Sequence, residues 1–369
     1  MKDLTTRDLH DVNVGANGED IPGGKGVQRD MATIAINGLG RIGRAAFKII
    51  LETPELELRA VNDLNAADDL AYLLNYDTVY GRYHEKVVPV PDGLRIKEKT
   101  YPVFKEKDPA RLPWKNLEVD IVLECTGVFN RSTDLERHLA AGAKTVILSA
   151  PGKGPEIATM VHRVNTTNGP TTGIISCASC TTNCITPVVE IMGRRIGVEK
   201  AIMTTVHAYT ATQAIVDRPN KKRRRGRAAA ANLIPSSTGA AVATTKALPQ
   251  YAGKFDGLAV RVPLAIGSLA DLVFLTSRRT TVDEVNTIFK EEADSDRYRG
   301  VLGVTDEPLV SSDIIQDPRA SIVDLELTQV VDGNLVKVMS WYDNEWGYTS
   351  QMIREAVRIA EASKTTTLR

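Results

Sequence analysis

The sequence predicts an α/β protein with two domains, one built on an open parallel sheet and the other an α+β fold with a mostly antiparallel sheet. Short apolar segments alternate with helical patterns in the first half of the chain, as βαβ units require. Longer segments with alternating apolar and polar residues follow in the second half, which is typical of strands with one packed and one exposed face. A length of 369 residues is enough for two hydrophobic cores.

The first 30 residues differ from the rest of the chain. They are polar, contain VGANGEDIPGGKG and show neither helical nor strand periodicity, so we expect a flexible extension over residues 1–30. We interpret it as a tag or as the product of a misassigned start, with Met31 as the true first residue. A regulatory arm is the alternative.

Residues 31–179 are predicted to form a doubly wound nucleotide-binding domain. TIAIN is a short buried strand, GLGRIG a turn, RAAFKIILE a helix and LELRAVND the second strand of a βαβ unit. Two further strands, in DIVLECTG and TVILSAP, are separated by the helix STDLERHLAAGA, which is predicted to end near Gly142. This pattern indicates an open parallel sheet covered by helices.

Residues 180–345 are predicted to form the catalytic domain. It begins with a helix in TTNCITPVVEIMGRRIG and continues with longer alternating strands. The strands lie in KAIMTTVHAYT, LAVRVPL, LADLVFLTS, SIVDLELTQVV and LVKVMSWYD. A last helix, at about 346–369, has apolar residues at helical spacing, and we expect it to pack back onto the first domain.

Composition excludes several classes of protein. The 46 basic residues balance 46 acidic ones, so no overall field attracts the molecule to nucleic acid or membranes. No run of about 18 apolar residues is present and no secretory signal opens the chain, so we expect a cytoplasmic protein. The cysteines are too few and too clustered for a disulfide scaffold, and reactive or buried thiols are expected. They are Cys125, Cys177, Cys180 and Cys184.

A glycine motif after the first strand predicts a dinucleotide site of the Rossmann type. Gly38, Gly40 and Gly43 form G-x-G-x-x-G at a helix start, where backbone amides and the helix dipole can bind a pyrophosphate. Asp63 ends the second strand about 20 residues further on, where a carboxylate reaches the ribose hydroxyls and repels the 2′-phosphate of NADP. NAD is therefore the expected cofactor. Further contacts are expected from Arg41, Ile42, Thr126 and Gly127. For the last two, strand termination is the alternative role.

Cys180 and His207 are the candidate nucleophile and base. Cys180, in SCASCTTNC, directly precedes a predicted helix, and the helix dipole favours its thiolate. His207, in HAYTATQ, is the candidate partner because the other histidines of the chain lie in the extension or in contexts without a thiol motif. The alternatives are a small buried residue and a hydrogen-bonded structural histidine. A cysteine–histidine pair can attack an aldehyde, and a dinucleotide beside it can take the hydride from the hemithioacetal.

Six motifs in order closely resemble those of the phosphorylating glyceraldehyde-3-phosphate dehydrogenases. They are NGLGRIGR, SCASCTTNC, HAYTATQ, SSTGAA, RVP and WYDNEWGY, and the resemblance covers residues 31 to about 360. It implies that Cys180 adds to the aldehyde of glyceraldehyde 3-phosphate and that His207 accepts a proton as the hydride leaves for NAD. Inorganic phosphate then attacks the thioester and releases 1,3-bisphosphoglycerate, in glycolysis, gluconeogenesis or both. The resemblance also implies a homotetramer.

The resemblance assigns further residues to the site. It places one phosphate at Thr210 and Arg261, and the other at Ser179, Thr181, Thr238 and Gly239. It gives Arg227, in GRAAA, a position near both phosphates, and it implies no metal ligand. Around the nicotinamide it implies Asn344, with Ser149 and Tyr348 as further contacts. Taken alone, the threonines would be interpreted as strand or turn hydroxyls and Arg261 as a surface charge.

Three positions depart from the family's pattern. Cys177 replaces the usual asparagine and creates C-x-x-C with Cys180; we interpret it as a packing residue, with a reversible redox disulfide as the alternative. Residues 264–268, in RVPLAIGSLADL, have lost polar groups near the substrate phosphate, so affinity or selectivity can differ. Arg218 stands where NAD-preferring relatives usually have leucine, at a subunit contact near the adenosine ribose of a neighbouring subunit. We expect NAD preference with measurable NADP use, provided that the protein is a tetramer.

Two other functions are compatible with parts of the sequence. Erythrose-4-phosphate and other phosphorylated-aldehyde dehydrogenases share the thiol motif, but SSTGAA matches the glyceraldehyde enzymes. The basic run 221–227 could bind nucleic acid or a protein partner, yet it lacks interleaved aromatic residues, and the resemblance places it between subunits. The phosphorylating dehydrogenase is therefore the expected function, and nucleic-acid binding is not expected.

Overall fold

The first half of the chain folds around a parallel sheet that begins with a βαβ unit. The computed structural model describes residues 31–154, 156–166 and 173–367, so the predicted extension at 1–30 lies outside the described residues. The elements are β1 (Ala32–Asn37), α1 (Arg41–Leu51), β2 (Leu56–Asn62), α2 (Ala67–Asn75), β3 (Tyr76–Asp77), β4 (Gly81–Arg82), β5 (Val87–Val90), β6 (Gly93–Ile96), β7 (Lys99–Phe104), β8 (Ile121–Glu124), α3 (Ser132–Ala140), β9 (Thr145–Leu148), β10 (Ala158–Thr159) and β11 (Gly173–Ser176).

This sheet has nine strands in the order β10-β11-β9-β8-β1-β2-β7-β6-β5. All pairs from β10 to β7 are parallel, and helix α1 connects β1 to β2 while α3 connects β8 to β9. The pairs β7–β6 and β6–β5 are antiparallel and form an extension that we did not predict. Its short strands are joined by tight turns, and one of those turns contains a non-glycine residue with positive φ, Lys97 at 52°.

The second half of the chain forms a second sheet. Its elements are α4 (Cys180–Arg195), β12 (Val198–Ala208), β13 (Ile234–Ser237), α5 (Ala240–Ala247), β14 (Phe255–Val262), β15 (Ser268–Thr276), α6 (Val282–Asp294), β16 (Leu302–Thr305), β17 (Ser321–Val331), β18 (Leu335–Tyr342) and α7 (Trp346–Thr367). The sheet has seven strands in the order β13-β14-β12-β15-β18-β17-β16, and four of its six pairs are antiparallel. The predicted fold class is therefore confirmed.

Helix α4 is buried against the second sheet, and this fixes the position of its N-terminus. Ile185, Val188, Val189 and Met192 are fully buried in the core that the helix shares with β12, β15 and β18. These residues recur at helical spacing, so one continuous apolar face holds the helix. Cys180, the first residue of α4, is consequently attached to a helix that is buried in the second sheet's core.

Helix α7 returns to the first sheet and packs against α1. Met352, Ile353, Ala356 and Ile359 are at most 2% exposed and belong to the core of the first sheet. Residues 31–369 form one compact unit, so the boundaries predicted at 179 and 345 remain a prediction. Within the described ranges, no helix is both long enough and apolar enough to cross a membrane.

Candidate active site

The glycine motif forms a tight loop between β1 and α1. Gly38 has φ +93°, a conformation that side chains disfavour, and a Cβ there would lie 2.7 Å from the backbone nitrogen of Thr126. A Cβ on Gly43 would lie 1.9 Å from the carbonyl oxygen of Gly38. The backbone N–H of Leu39 donates to Asp63 Oδ2 at 2.8 Å. These contacts hold together the glycine loop, α1 and the carboxylate of Asp63, which is predicted to bind ribose. This arrangement, called the cofactor cradle below, fits a dinucleotide.

We expect Gly43→Ala and Gly40→Ala to differ in their effects. The new Cβ at 43 collides with backbone and must displace the turn, so the cofactor-free protein loses stability and NAD affinity falls about 10- to 100-fold. A Cβ at 40 meets nothing within 4 Å, so Gly40→Ala keeps its melting temperature, whatever it does to NAD affinity. Thermal melting without cofactor and NAD titration measure both effects. A Gly43→Ala protein with wild-type melting and affinity would contradict this geometry.

Thr126 and Gly127 follow β8 and lie beside the glycine loop. Thr126 is fixed by Glu124, whose Oε1 accepts hydrogen bonds from the backbone N–H and the hydroxyl of Thr126. Arg41 uses its guanidinium for Asp77 and Glu345, so only its backbone amide remains for a cofactor, as predicted for it and for its neighbour Ile42.

Asn344, Ser149 and Tyr348 lie at the junction of the two sheets. Asn344 is 5% exposed, and its Oδ1 accepts from Ser268 Oγ at 3.0 Å, while its Nδ2 has no hydrogen-bond partner among the described residues. Ser149 follows β9, and its backbone N–H donates to the carbonyl of Glu124 at 3.0 Å. The hydroxyl of Tyr348 donates to the carbonyl of Ala178 at 3.3 Å. Asn344 thus offers a free amide donor, whereas Tyr348 supports the loop before the nucleophile.

Cys180 is the first residue of α4 and is presented by a strained turn. Ser179 caps the helix, because its Oγ accepts from the N–H of Thr182 at 3.2 Å. Ala178 has φ +56°, which is unfavourable for a residue with a Cβ, and its N–H donates to Ser176 Oγ at 3.0 Å. The turn and the cap together set the direction of the Cys180 side chain.

The structure brings Cys180 and His207 together. Cys180 Sγ lies 3.4 Å from His207 Nε2, although the two residues are 27 positions apart. His207 Nδ1 lies 2.7 Å from the carbonyl oxygen of Ala208 and 2.9 Å from Arg261 NH1. The shorter contact is to the carbonyl, which only accepts, so we assign the proton to Nδ1, and the Nε2 lone pair then faces the sulfur. Arg261 NH1 donates to the same carbonyl at 3.0 Å. The imidazole is therefore held in the tautomer that a general base needs.

Burial favours the neutral form of both members of the pair, and nearby positive charge adds to this effect only for His207. Burial, reinforced by the charges of Arg261 and Arg225, lowers the pKa of His207 from 6.5 to about 3. Burial also raises the pKa of Cys180, against the opposing effects of the Arg261 charge and of hydrogen bonds from Thr181. This burial opposes the helix dipole, from which we predicted a thiolate. The thiol must give its proton to His207 as it reacts.

The lowered pKa of His207 predicts a specific dependence of stability on pH. The folded state binds a proton at this residue less readily than the unfolded state, so the contribution is fully present above pH 6.5 and is lost as the pH falls towards 3. Between pH 6 and 4.5, we expect wild-type protein to lose about 1.4 kcal/mol per pH unit more unfolding free energy than His207→Asn. Urea unfolding of both proteins across this range measures the difference. Parallel slopes would contradict the neutral buried imidazole.

Tyr342, a residue that we did not predict, links the two elements that carry the pair. Its hydroxyl is hydrogen-bonded to Thr181 Oγ1 at 2.9 Å, next to Cys180, and to Thr205 Oγ1 at 2.7 Å, on the buried face of β12 that also carries His207. Its ring packs edge-on against His207, with centroids 5.9 Å apart. Thr181 is 3% exposed and its hydroxyl is used in this link. The ring of Tyr342 thus packs against His207, and its hydroxyl fixes the spacing between Thr181 and Thr205.

Two arginines act on the catalytic pair, and one of them differs from our prediction. Arg261 is adjacent to His207 in the parallel pairing of β14 with β12, and its NH1 donates to the carbonyl of Ala208. Arg225 bonds to Ser236 Oγ at 2.9 Å, and its charge reaches His207. Arg227 instead pairs with Asp217 at 2.7 Å, with 63% of its side chain exposed. Arg225 is therefore the arginine of the run whose charge acts on His207, and the phosphate role of Arg227 remains a prediction.

The other predicted phosphate residues are not all joined to this pair by contacts among the described residues. Thr210 Oγ1 is 3.0 Å from Thr212 Oγ1, which in turn is 3.4 Å from Arg225 NH1. Thr238 bonds locally, since its Oγ1 accepts from the N–H of Ala240 at 3.1 Å, and Gly239 is the exposed N-cap of α5. Thr210 is therefore connected to Arg225 through Thr212, whereas the hydrogen bond of Thr238 stays within its own turn, next to Gly239.

All four cysteines are free thiols. Cys177 is 3% exposed and packs in the core of the first sheet, and burial raises its pKa well above the usual value. This environment supports the packing role that we preferred for it. Among the described residues, no cluster of three or more His, Cys, Asp or Glu side chains could hold a metal ion.

A dinucleotide cradle beside a hydrogen-bonded thiol and imidazole defines a class, the dehydrogenases that act through a cysteine. Two family models match the chain. The NAD-binding domain of glyceraldehyde 3-phosphate dehydrogenase matches residues 32–132, and the C-terminal domain of the same enzyme matches residues 179–344. The chain therefore belongs to the glyceraldehyde-3-phosphate dehydrogenase family, as the motif order predicted, and it has the NAD-binding domain of that family.

Curated relatives match over almost their whole length. The glyceraldehyde-3-phosphate dehydrogenase of Streptomyces coelicolor is 47% identical over 323 residues, which are 87% of this chain and 96% of the relative. That of Thermotoga maritima is 47% identical over 325 residues, 88% of this chain and 97% of the relative. That of Zymomonas mobilis is 45% identical over 331 residues, 89% of this chain and 98% of the relative.

Proposed function

We propose that this chain oxidises D-glyceraldehyde 3-phosphate with NAD and inorganic phosphate and releases 1,3-bisphosphoglycerate. The observation that carries the proposal is the 3.4 Å contact between Cys180 Sγ and His207 Nε2, at the edge of the NAD-binding domain. The guanidinium donors of Arg261 next to this pair suit a phosphorylated aldehyde. Family membership and the names of the relatives support the same substrate.

The reaction begins with a proton transfer within the pair. His207 Nε2 takes the thiol proton while Cys180 Sγ bonds to the aldehyde carbon, and the imidazolium then protonates the oxygen to give a hemithioacetal. His207 accepts that hydroxyl proton again as the hemithioacetal is oxidised to a thioester. A phosphate oxygen then attacks the thioester carbon, the C–S bond breaks, and Cys180 leaves with the electron pair.

NAD, when bound, supplies the hydride acceptor for the oxidation. The glycine loop of Gly38, Gly40 and Gly43 would hold its pyrophosphate, and Asp63 would hold the adenosine ribose. The free Nδ2 of Asn344 would hold the carboxamide of the nicotinamide, because its Oδ1 is already bonded to Ser268. Thr126, Gly127 and Ser149 follow strands at the same edge of the sheet, and we keep them as contacts.

Two phosphate positions are needed, one for the substrate and one for the attacking anion. We assign the first to Thr210 and Arg261, with Arg225 or Arg227 between the two positions. The second we assign to Ser179, Thr181, Thr238 and Gly239. The backbone amides at the N-termini of α4 and α5 offer donors there, since the buried hydroxyl of Thr181 is bonded to Tyr342.

Dependence on phosphate tests the proposed function. We expect NADH formation from glyceraldehyde 3-phosphate to require inorganic phosphate, and erythrose 4-phosphate to be a poor substrate. Steady-state absorbance measurements with both aldehydes, with and without phosphate, distinguish the two enzymes. Turnover of erythrose 4-phosphate that is faster and independent of phosphate would replace our proposal with the alternative.

We expect NAD to be preferred to NADP by at least about tenfold in kcat/KM, with NADP still used. Asp63 repels the extra phosphate, whereas Arg218 is exposed and its guanidinium makes no hydrogen bond among the described residues. Arg218→Leu should remove NADP use and leave NAD kinetics unchanged, because only the 2′-phosphate needs that charge. Initial rates with both cofactors measure this. Equal efficiencies would contradict the preference, and no NADP activity in the wild type would contradict the role of Arg218.

We propose a homotetramer, as the family resemblance implies. The face of the second sheet opposite α4 exposes Ile202 and Leu258, and the loop after β12 exposes Ile215 (86%) and Val216 (71%). These exposed apolar side chains suit subunit contacts. Light scattering measures the number of subunits in the assembly.

Three side chains of the basic run 221–227 form hydrogen bonds within the chain: Lys222 with Ser237, Arg225 with Ser236 and Arg227 with Asp217. We therefore do not propose nucleic-acid binding for it.

A further inference from the structure

Five polar side chains lie buried beneath the cofactor loops, and the reaction does not use them. One continuous series of hydrogen bonds connects them, and each side chain is at most 4% exposed. The set, called the polar chain below, is Asn62, Asn37, Glu124, His138 and Trp114. Burying this many polar groups is unfavourable unless each has a hydrogen-bond partner. The hydrogen bonds of these five side chains therefore indicate the role of the polar chain.

The hydrogen bonds run across the sheet towards Glu124. Asn62 Nδ2 donates to Asn37 Oδ1 at 2.7 Å, and Asn37 Nδ2 donates to Glu124 Oε2 at 2.6 Å. From the other side, Trp114 Nε1 donates to His138 Nδ1 at 3.0 Å, and His138 Nε2 lies 3.2 Å from Glu124 Oε2. Glu124 is therefore the common acceptor of the polar chain.

Trp114 determines the protonation state of His138. An indole nitrogen only donates, so His138 Nδ1 must accept and the single imidazole proton sits on Nε2. His138 therefore donates to Glu124 as a neutral ring, and the contact is a hydrogen bond rather than an ion pair. Because Thr126 gives two more donors to Oε1, the carboxylate accepts from four neutral donors.

Each sheet residue of the polar chain is the last residue of its strand, and the cofactor loops begin immediately after it. Asn62 ends β2 before Asp63, Asn37 ends β1 before Gly38, and Glu124 ends β8 two residues before Thr126. These three strands are neighbours and run parallel, so the loops leave the same edge of the sheet. One carboxylate thus connects the loop predicted to bind ribose, the glycine loop, and the loop of Thr126 and Gly127.

We propose that Glu124 is a positioning residue for NAD, which holds the three cofactor loops at their correct separation through the polar chain. Glu124 touches no reacting atom. It acts through Thr126 and Asn37, and the buried Trp114–His138 pair keeps its second oxygen supplied with a donor. The inference rests on the proposed NAD-linked function and adds a residue whose only task is to organise the cofactor-free site.

Glu124→Gln tests the proposal, because both carboxylate oxygens already face donors. The amide NH2 must point at Thr126 or at Asn37 and His138, and either orientation places donors against donors. We expect the Kd for NAD, measured by calorimetry, to rise about 10- to 100-fold. KM for NAD should rise in parallel and KM for the triose phosphate should change less than about twofold. In cofactor-free protein, the Thr126 amide should exchange its hydrogen faster than in the wild type.

Thr33→Val is the matched control at the opposite end of β1. Thr33 is 7% exposed and its Oγ1 donates to Asp120 Oδ2 at 2.9 Å, so the variant also loses a buried hydrogen bond in the same strand. We expect it to lower the melting temperature and leave the Kd for NAD unchanged. Equal NAD affinities for Glu124→Gln and Thr33→Val would overturn the proposal and leave the polar chain a purely structural feature.

Trp114→Phe decides the question if Glu124→Gln does not fold. It keeps a ring in the core and removes the N–H that fixes His138, so we expect the Kd for NAD to rise about threefold or more. An unchanged Kd in this variant would overturn the proposal. Failure of the wild-type protein itself to bind NAD would contradict the proposed function, and the inference with it.

Discussion

Replacing Cys180 by serine is expected to lower kcat for NADH formation by at least about 10⁴-fold, because the nucleophile and the leaving group of the thioester are both lost. A serine hydroxyl gives up its proton far less readily than a thiol, and His207 is too weak a base in its buried position to compensate. The affinity for NAD should be unchanged, since the cofactor cradle lies on β1, β2 and β8. Steady-state kinetics and an NAD titration of the same preparation measure both quantities.

Cys184→Ser is the matched control for this variant. Cys184 lies one helical turn further along α4, is fully buried, and its sulfur is 3.9 Å from Ser321 Oγ and from the carbonyl oxygen of Ser340. A serine hydroxyl therefore finds polar partners there, and kcat should stay within about threefold of the wild type. If kcat fell strongly in Cys184→Ser and stayed normal in Cys180→Ser, the roles that we assign to the two thiols would be wrong and would have to be exchanged.

Replacing His207 by asparagine is expected to lower kcat about 10²- to 10⁴-fold, the range typical of a lost general base. The thiol pKa is raised by burial, so without an acceptor at Nε2 the proton has no nearby group to receive it. KM for the triose phosphate should change little, because Arg261 and Thr210 remain. Kinetics at saturating NAD and phosphate separate the two parameters.

His84→Asn controls for a general effect of losing a histidine. The side chain of His84 is 62% exposed and contacts Glu52 at 3.7 Å and the ring of Tyr83, with centroids 4.5 Å apart, far along the chain from the site. We expect wild-type kinetics from this variant. If His207→Asn retained more than about a tenth of the wild-type kcat, proton transfer would have to use another group.

Much of the fold follows from local sequence pattern. The glycine motif, the buried strand before it and the amphipathic helix after it specify a βαβ unit from about 30 consecutive residues. Alternation along β12, β15 and β18 indicates a sheet with one packed face, and the order of six motifs was enough to predict the family that the domain models confirm. These features depend on neighbours in sequence, so a single chain displays them.

What sequence pattern did not predict depends on contacts between distant segments. Tyr342 joins Thr181 to Thr205 across 161 and 137 positions, and nothing in WYDNEWGY indicates which hydroxyls it meets. In the run KKRRRGR, the direction of each arginine depends on one short 3-10 turn, so Arg225 and Arg227 cannot be distinguished by spacing alone. The resting charge of Cys180 likewise depends on burial, which competes with the helix dipole.

The central claim is that oxidation leaves the acyl group on Cys180 until phosphate removes it. Mass spectrometry of the intact protein and its peptides, after mixing with glyceraldehyde 3-phosphate and NAD in phosphate-free buffer, tests this most directly. We predict one NADH per site, a phosphoglyceryl adduct on the peptide that contains Cys180, and loss of the adduct when phosphate is added. Continuous NADH production without an adduct, or an adduct on another residue, would contradict the mechanism.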